Sequence, residues 1–124
     1  MNKRVLLIED NEQNRYLVSF LMQARGWEMV QAEDGPTGVA LASQVDPALI
    51  LLDIQLPGMD GYAVARALRS DPKLAGTPIV AVTSYAMPGD RERCLAAGCN
   101  GYIEKPIDPQ TFTAVVERYA KGAK

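Results

Sequence analysis

Three short stretches of this 124-residue chain are apolar without interruption: Val5-Leu6-Leu7-Ile8, Ala48-Leu49-Ile50-Leu51-Leu52 and Ile79-Val80-Ala81-Val82. A strand with one wet face alternates polar and apolar side chains, whereas a strand covered on both faces does not. These stretches are therefore expected as the central strands of a sheet sandwiched between helices. Residues 27–32 and 101–103 are more polar or shorter and fit edge strands.

Helical patterns fill the gaps. The first helix is expected after an Asp10-Asn11 cap, with Leu17, Phe20, Leu21 and Ala24 inward and a stop at Gly26. The second starts with Pro36 in its first turn and buries Val39, Ala40 and Val45 before Asp46-Pro47 breaks it. The third is capped by Asp60 and turns Val64, Ala67 and Leu68 inward; the fourth follows Met87-Pro88-Gly89-Asp90 and ends at Gly98. The fifth is signalled by Asp108-Pro109, with Phe112, Val115, Val116 and Tyr119 on its apolar side. Strands alternating with helices call for a doubly wound five-stranded parallel sheet with five helices on two faces. Right-handed crossovers and edge positions for strands two and five give the order 2-1-3-4-5. Ligands of such a sheet bind beyond the carboxyl ends of the strands, here between strands one and three.

The residue inventory narrows the chemistry. With no histidine, the chain has no Ser-His-Asp triad, no imidazole metal ligand and no phosphohistidine of its own. Cys94 and Cys99 lack metal-type spacing and read as reduced small hydrophobes. Thirteen basic against fifteen acidic residues give a net charge of −2, without the basic cluster that direct nucleic-acid binding requires. The longest apolar run is five residues, against about 20 for a membrane span, and no secretory core follows the N-terminus. A cytoplasmic protein acting on proteins or small anions is expected, with all of 1–124 forming one domain.

At the carboxyl ends of the expected strands stand Glu9 and Asp10, then Asp53, Thr83 and Lys105. Each alone has a bland explanation as a cap, turn residue or surface charge. Together they converge on one crevice. Three carboxylates a few ångströms apart repel by about 4 kcal/mol per pair at a surface-like dielectric, so the cluster needs a proton or a cation. Oxygen ligands without thiolate or imidazole suit Mg²⁺, with Mn²⁺ as the alternative. Asp53, the most central, is the expected nucleophile toward phosphorus; Lys105 supplies a fixed positive charge and Thr83 a hydroxyl donor.

The segments Leu7-Ile8-Glu9-Asp10-Asn11, Leu51-Leu52-Asp53-Ile54-Gln55-Leu56-Pro57-Gly58-Met59-Asp60-Gly61, Val80-Ala81-Val82-Thr83 and Tyr102-Ile103-Glu104-Lys105-Pro106 resemble the receiver domain of two-component response regulators, most closely the single-domain type. The similarity spans nearly the whole chain and implies a flavodoxin-like fold. It implies that Asp53 accepts a phosphoryl group from a phosphohistidine on a sensor histidine kinase or phosphotransferase. It also implies that Glu9, Asp10, Asp53 and the Gln55 backbone carbonyl surround Mg²⁺. Glu9 stands where many relatives carry Asp, which points to contact through a bound water. Thr83 and Lys105 are implied in phosphoryl binding, and the Lys105-Pro106 peptide is implied to be cis.

The added charge of about −1.5 to −2 is expected to draw the Thr83 hydroxyl inward and let Tyr102, the family's switch aromatic, turn from exposed toward buried. The output face is then helix four, strand five and helix five, offering Tyr85, Arg91, Arg93 and Tyr102 to a downstream protein. Gln55, Ser84 and Tyr85 resemble positions that tune phosphoryl lifetime through water access. No effector domain, no membrane insertion and a monomer or weak dimer are expected. A dinucleotide or flavin enzyme is disfavoured by the acidic turn Glu9-Asp10-Asn11-Glu12, which lacks a glycine-rich phosphate loop. An aspartyl-phosphate hydrolase would carry a second Asp where this chain has Gln55. A receiver excised from a hybrid histidine kinase, or a module of the same fold working without phosphorylation, stays open at this point.

Overall fold

The computed structural model describes residues 3–56, 60–84 and 88–122. Strands β1 (Arg4–Ile8), β2 (Glu28–Ala32), β3 (Leu49–Asp53), β4 (Ile79–Thr83) and β5 (Gly101–Glu104) alternate with helices α1 (Glu12–Gln23), α2 (Gly35–Val45), α3 (Gly61–Arg69), α4 (Asp90–Ala96) and α5 (Phe112–Gly122). All pairings are parallel and the strand order is β2-β1-β3-β4-β5, as the apolar runs predict. β3 and β4 are buried at every position.

Because side chains alternate along a strand, each central strand feeds two cores. Leu6, Ile8, Ile50, Leu52, Ile79 and Ala81 pack with Ala42 of α2, Val64, Ala65 and Leu68 of α3, and Cys94 of α4. Val5, Leu7, Leu49, Leu51, Val80 and Val82 pack on the other face with Val18 and Met22 of α1 and Phe112 and Val116 of α5. Each fully buried aliphatic side chain contributes about 1.5–3 kcal/mol, so the sheet is stiff where the polar residues leave it.

Local signals set the helix ends. Asn11 accepts from the Asn14 amide at 2.9 Å, Asp34 from Thr37 at 2.8 Å and Asp60 from Tyr62 at 3.0 Å, satisfying donors left open at each N-terminus. Gly61 seats α3 against the end of β3: a Cβ there would lie 2.4 Å from the Ile54 backbone.

Three expectations are corrected. Phe20 is 60% exposed and stacks on Tyr16, 6.4 Å between ring centroids, while Val18 and Met22 take the inward places on α1; Ala24 also lies outside. α1 carries apolar residues around most of its circumference, so periodicity alone leaves its inward face ambiguous. Ala40 is exposed because α2 presents Gly38 and Ala42 to the sheet, with Gly38 lying close over Ile8. α5 begins at Phe112 rather than at Pro109; the Asp108 carboxylate and carbonyl close a separate turn over Gln110, Thr111 and Phe112 first.

At the amino end of the sheet, Trp27 Nε1 donates to Glu117 on α5 at 3.0 Å, with Lys3 Nζ 5.0 Å from its ring centroid. At the same end, at the entries of β4 and β5, the Arg69 guanidinium donates to the carbonyls of Leu74 (2.8 Å), Thr77 (2.9 Å) and Gly98 (2.8 Å) and to Asn100 Oδ1 (2.9 Å). Among the described residues no helix is long and apolar enough to cross a membrane.

Candidate functional site

At the carboxyl end, β1 delivers Glu9 and Asp10, and β3, its neighbour, delivers Asp53. One oxygen from each of the three carboxylates can be chosen so that all lie within 4.8 Å of one another. Glu9 and Asp53 are buried and Asp10 is exposed, which leaves the pocket open on one side. β5 brings Lys105: its amide continues the ladder to the Thr83 carbonyl at 2.8 Å, and its Nζ lies 2.7 Å from Glu9 Oε1 and 3.3 Å from Asp53 Oδ2. The Lys105-Pro106 peptide is cis. The other Asp53 oxygen, Oδ1, accepts from the Gln55 amide at 2.9 Å.

Three acids against one ammonium leave the pocket short of positive charge. The Glu9 carboxyl registers this: burial, reinforced by the adjoining Asp53 carboxyl, raises it from 4.5 to about 7 despite the pull of Lys105. Burial works against the Lys105 charge as well, yet Glu9 and Asp53 outweigh it and its affinity for the proton rises. The same excess of acid that favours a proton on Glu9 favours a cation among the three carboxylates. The donor set is oxygen only, which suits a hard ion such as Mg²⁺.

Thr83, the last residue of β4, is buried. The register sets Ala81 beside Tyr102 and Thr83 beside Glu104, so Thr83 and Tyr102 occupy the same face of adjacent strands, diagonal to each other. Tyr102 is half-buried against the α3–α4 core. Burial raises its hydroxyl pKa, with the Asp90 carboxylate the next contributor. Asp90 also accepts from the Tyr62 hydroxyl at 3.3 Å, which ties the start of α4 to α3. Ser84 donates from its hydroxyl to the Gln55 side-chain oxygen, bridging the chain segments after β3 and β4. Tyr85 lies outside the described residues. Arg91 is exposed, whereas the Arg93 guanidinium sits 4.3 Å over the Tyr62 ring and 3.9 Å from Asp90.

One residue that sequence reasoning did not single out belongs to this region. Arg15 of α1 donates from Nη1 to the carbonyls of Glu9 at 2.8 Å and Asp10 at 3.0 Å. Its signal was its helical spacing, one turn beyond the Asn11 cap and beneath the acidic loop.

A parallel sheet ordered 2-1-3-4-5, with an acid cluster and a lysine at its carboxyl edge, defines a receiver-type signalling domain. The chain belongs to the response regulator receiver domain family of two-component signalling, whose profile matches residues 5–117. It is similar to the polar-differentiation response regulator DivK of Brucella ovis, 41% identical over 123 residues that cover 99% of this chain and 100% of that protein. Among solved structures it resembles the chemotaxis protein CheY4 of Vibrio cholerae, with a TM-score of 0.91 and 28% identity over 96% of this chain and 99% of that one. The receiver domain of a sensor histidine kinase from Pseudomonas aeruginosa PAO1 superposes with a TM-score of 0.88 and 32% identity, covering 98% of this chain and 99% of that one. That domain was solved with a magnesium ion coordinated in its active-site cleft.

Proposed function

We propose that this chain is a phosphoacceptor: Asp53 takes a phosphoryl group from the phosphohistidine of a sensor histidine kinase or phosphotransferase. Mg²⁺, or Mn²⁺ in its place, is held by Glu9, Asp10, Asp53 and the Gln55 backbone carbonyl. The observation that carries this reading is a buried Asp53 with Lys105 Nζ 3.3 Å away and two further carboxylates beside it. When bound, the divalent ion supplies positive charge to the phosphoryl oxygens and offsets the repulsion among the acids.

The rest falls to the protein. A carboxylate nucleophile needs no general base. An Asp53 oxygen forms the new bond to phosphorus as the phosphorus–nitrogen bond breaks, and its electron pair leaves on the donor imidazole. The Lys105 ammonium, already against Asp53, stays with the transferred oxygens. The Thr83 hydroxyl donates to one of them, and its movement gives Tyr102 room to complete its inward turn beneath the α4–β5–α5 face, where a downstream protein reads the change. Gln55 and Ser84, bridged across the mouth, together with Tyr85, set how readily water reaches the acyl phosphate. Residues 1–124 act as one receiver unit throughout.

Incubation with Mg²⁺ and acetyl phosphate, followed by intact mass, tests the reading. One phosphoryl adduct is expected on the wild-type chain and none on Asp53→Asn or in EDTA. An undiminished adduct on Asp53→Asn, or none on the native chain, overturns it.

A further inference from the structure

The three pocket acids are not anchored alike. Glu9 and Asp53 are gripped by Lys105, and Gln55 holds Asp53 from behind. The Asp10 carboxylate takes no hydrogen bond from the described residues, so the direction in which it leaves the chain is set by its backbone. That backbone has just left β1 and has no ladder partner for its carbonyls. Arg15 supplies one for both, Nη1 reaching the Glu9 oxygen at 2.8 Å and the Asp10 oxygen at 3.0 Å. Since a peptide unit is planar, fixing two successive carbonyls fixes the Asp10 Cα and the direction in which its Cα–Cβ bond leaves the chain. Arg15 is itself held: its side chain is only 13% exposed, and Nη2 lies 3.5 Å from Glu33 at the end of β2.

We propose that Arg15 is a positioning residue for the cation pocket, which keeps the Asp10 carboxylate aimed at the site by clamping the carbonyls of Glu9 and Asp10. This rests on reading Glu9, Asp10 and Asp53 as a divalent-cation pocket. The role has an opposing electrostatic sign that makes it testable. A guanidinium near an acidic pocket repels a cation, so deleting its charge alone strengthens binding, whereas losing the clamp weakens it. Removal of groups that orient metal ligands commonly costs 10–100-fold in affinity.

Mg²⁺ titrations of the full chain, followed through the NMR amide shifts of Asn11 and Gln55, with melting in EDTA recorded alongside, separate these cases. Arg15→Lys, which keeps the charge but loses the clamp, is expected to weaken Mg²⁺ binding about tenfold, and Arg15→Met, which loses the repulsion together with the clamp, to weaken it by less. Should Arg15→Met not fold, Arg15→Lys carries the test alone. Tighter binding by Arg15→Met with unchanged binding by Arg15→Lys overturns the proposal in favour of charge alone. Lower melting temperatures with wild-type affinity overturn it in favour of a merely structural contact. If the wild-type chain itself takes up no Mg²⁺, the pocket reading fails, and the positioning role with it.

Discussion

Lys105 and Arg69 are both partly buried cations at opposite ends of the sheet, one set among carboxylates and the other among carbonyls. Around Arg69 every acceptor is neutral except for partial charge: the carbonyls of Leu74, Ala75, Thr77 and Gly98 and the side-chain oxygen of Asn100. Nothing there changes its charge near neutral pH, and the knot stitches α3 to the entries of β4 and β5. Gly98 allows the approach, at φ +112° and with no Cβ, which would otherwise lie 3.0 Å from Arg69 Cγ. Around Lys105 the partners are acids in excess, and a proton on Glu9 competes with any incoming cation. The lesson is that a buried charge surrounded by dipoles makes a fixed joint, while one surrounded by surplus opposite charge leaves an excess that a ligand of the right sign can offset.

The sharpest way to break this contrast is at the fixed joint. Arg69→Ala strands several carbonyls and should cost about 3–5 kcal/mol of unfolding free energy, read by urea denaturation, with the same loss at pH 5 and pH 8. A loss that varies with pH would place titrating charge at the wrong end. Second in size is the pH dependence of the metal-free wild type. The folded Glu9 pKa of about 7 exceeds its ordinary 4.5, so the folded chain holds that proton more tightly. The associated stability is full below pH 4.5 and is lost as pH rises through 7, a fall of up to about 3 kcal/mol at 1.36 kcal/mol per unit. Saturating Mg²⁺ should flatten the slope, and Glu9→Gln should remove it; an unchanged slope in Glu9→Gln would locate the titration elsewhere.

Asn100→Ala comes next. Its Oδ1 accepts from both Arg69 and the Ile79 amide at 2.9 Å, so its removal should cost about 1–2 kcal/mol, again without pH dependence. Smallest is a control distant from both ends: Phe20→Ser should shift stability by less than about 0.5 kcal/mol, because this ring lies on the surface rather than in the core. A loss near that of a core truncation would restore the inward placement that helical periodicity suggests.

The contrast also explains what could be read in advance. The pocket acids and Lys105 were legible because β1, β3 and β5 are marked by their composition and the polar residues stand directly at their ends. In a parallel sheet, ends that match in sequence match in space. The Arg69 knot was not legible: four of its acceptors are backbone carbonyls, which leave no mark in a sequence, and Gly98 and Asn100 stand 29 and 31 residues away along the chain. Arg15 was hidden for the same reason, as its partners are the main chain of residues whose side chains drew attention. Phe20 and Ala40 were misplaced because α1 and α2 offer more apolar surface than the sheet can cover, and only packing decides which of it goes inside.

Trp27 turns the architecture to practical use. It is the chain's single tryptophan, seated at the pole remote from the acids and hydrogen-bonded to Glu117 of α5. A tilt of that helix against the sheet alters the indole's partner directly, so the molecule carries an intrinsic optical gauge. Emission from the unlabelled protein can follow, in real time, how far a chemical event at one pole travels through the rigid interior toward the other.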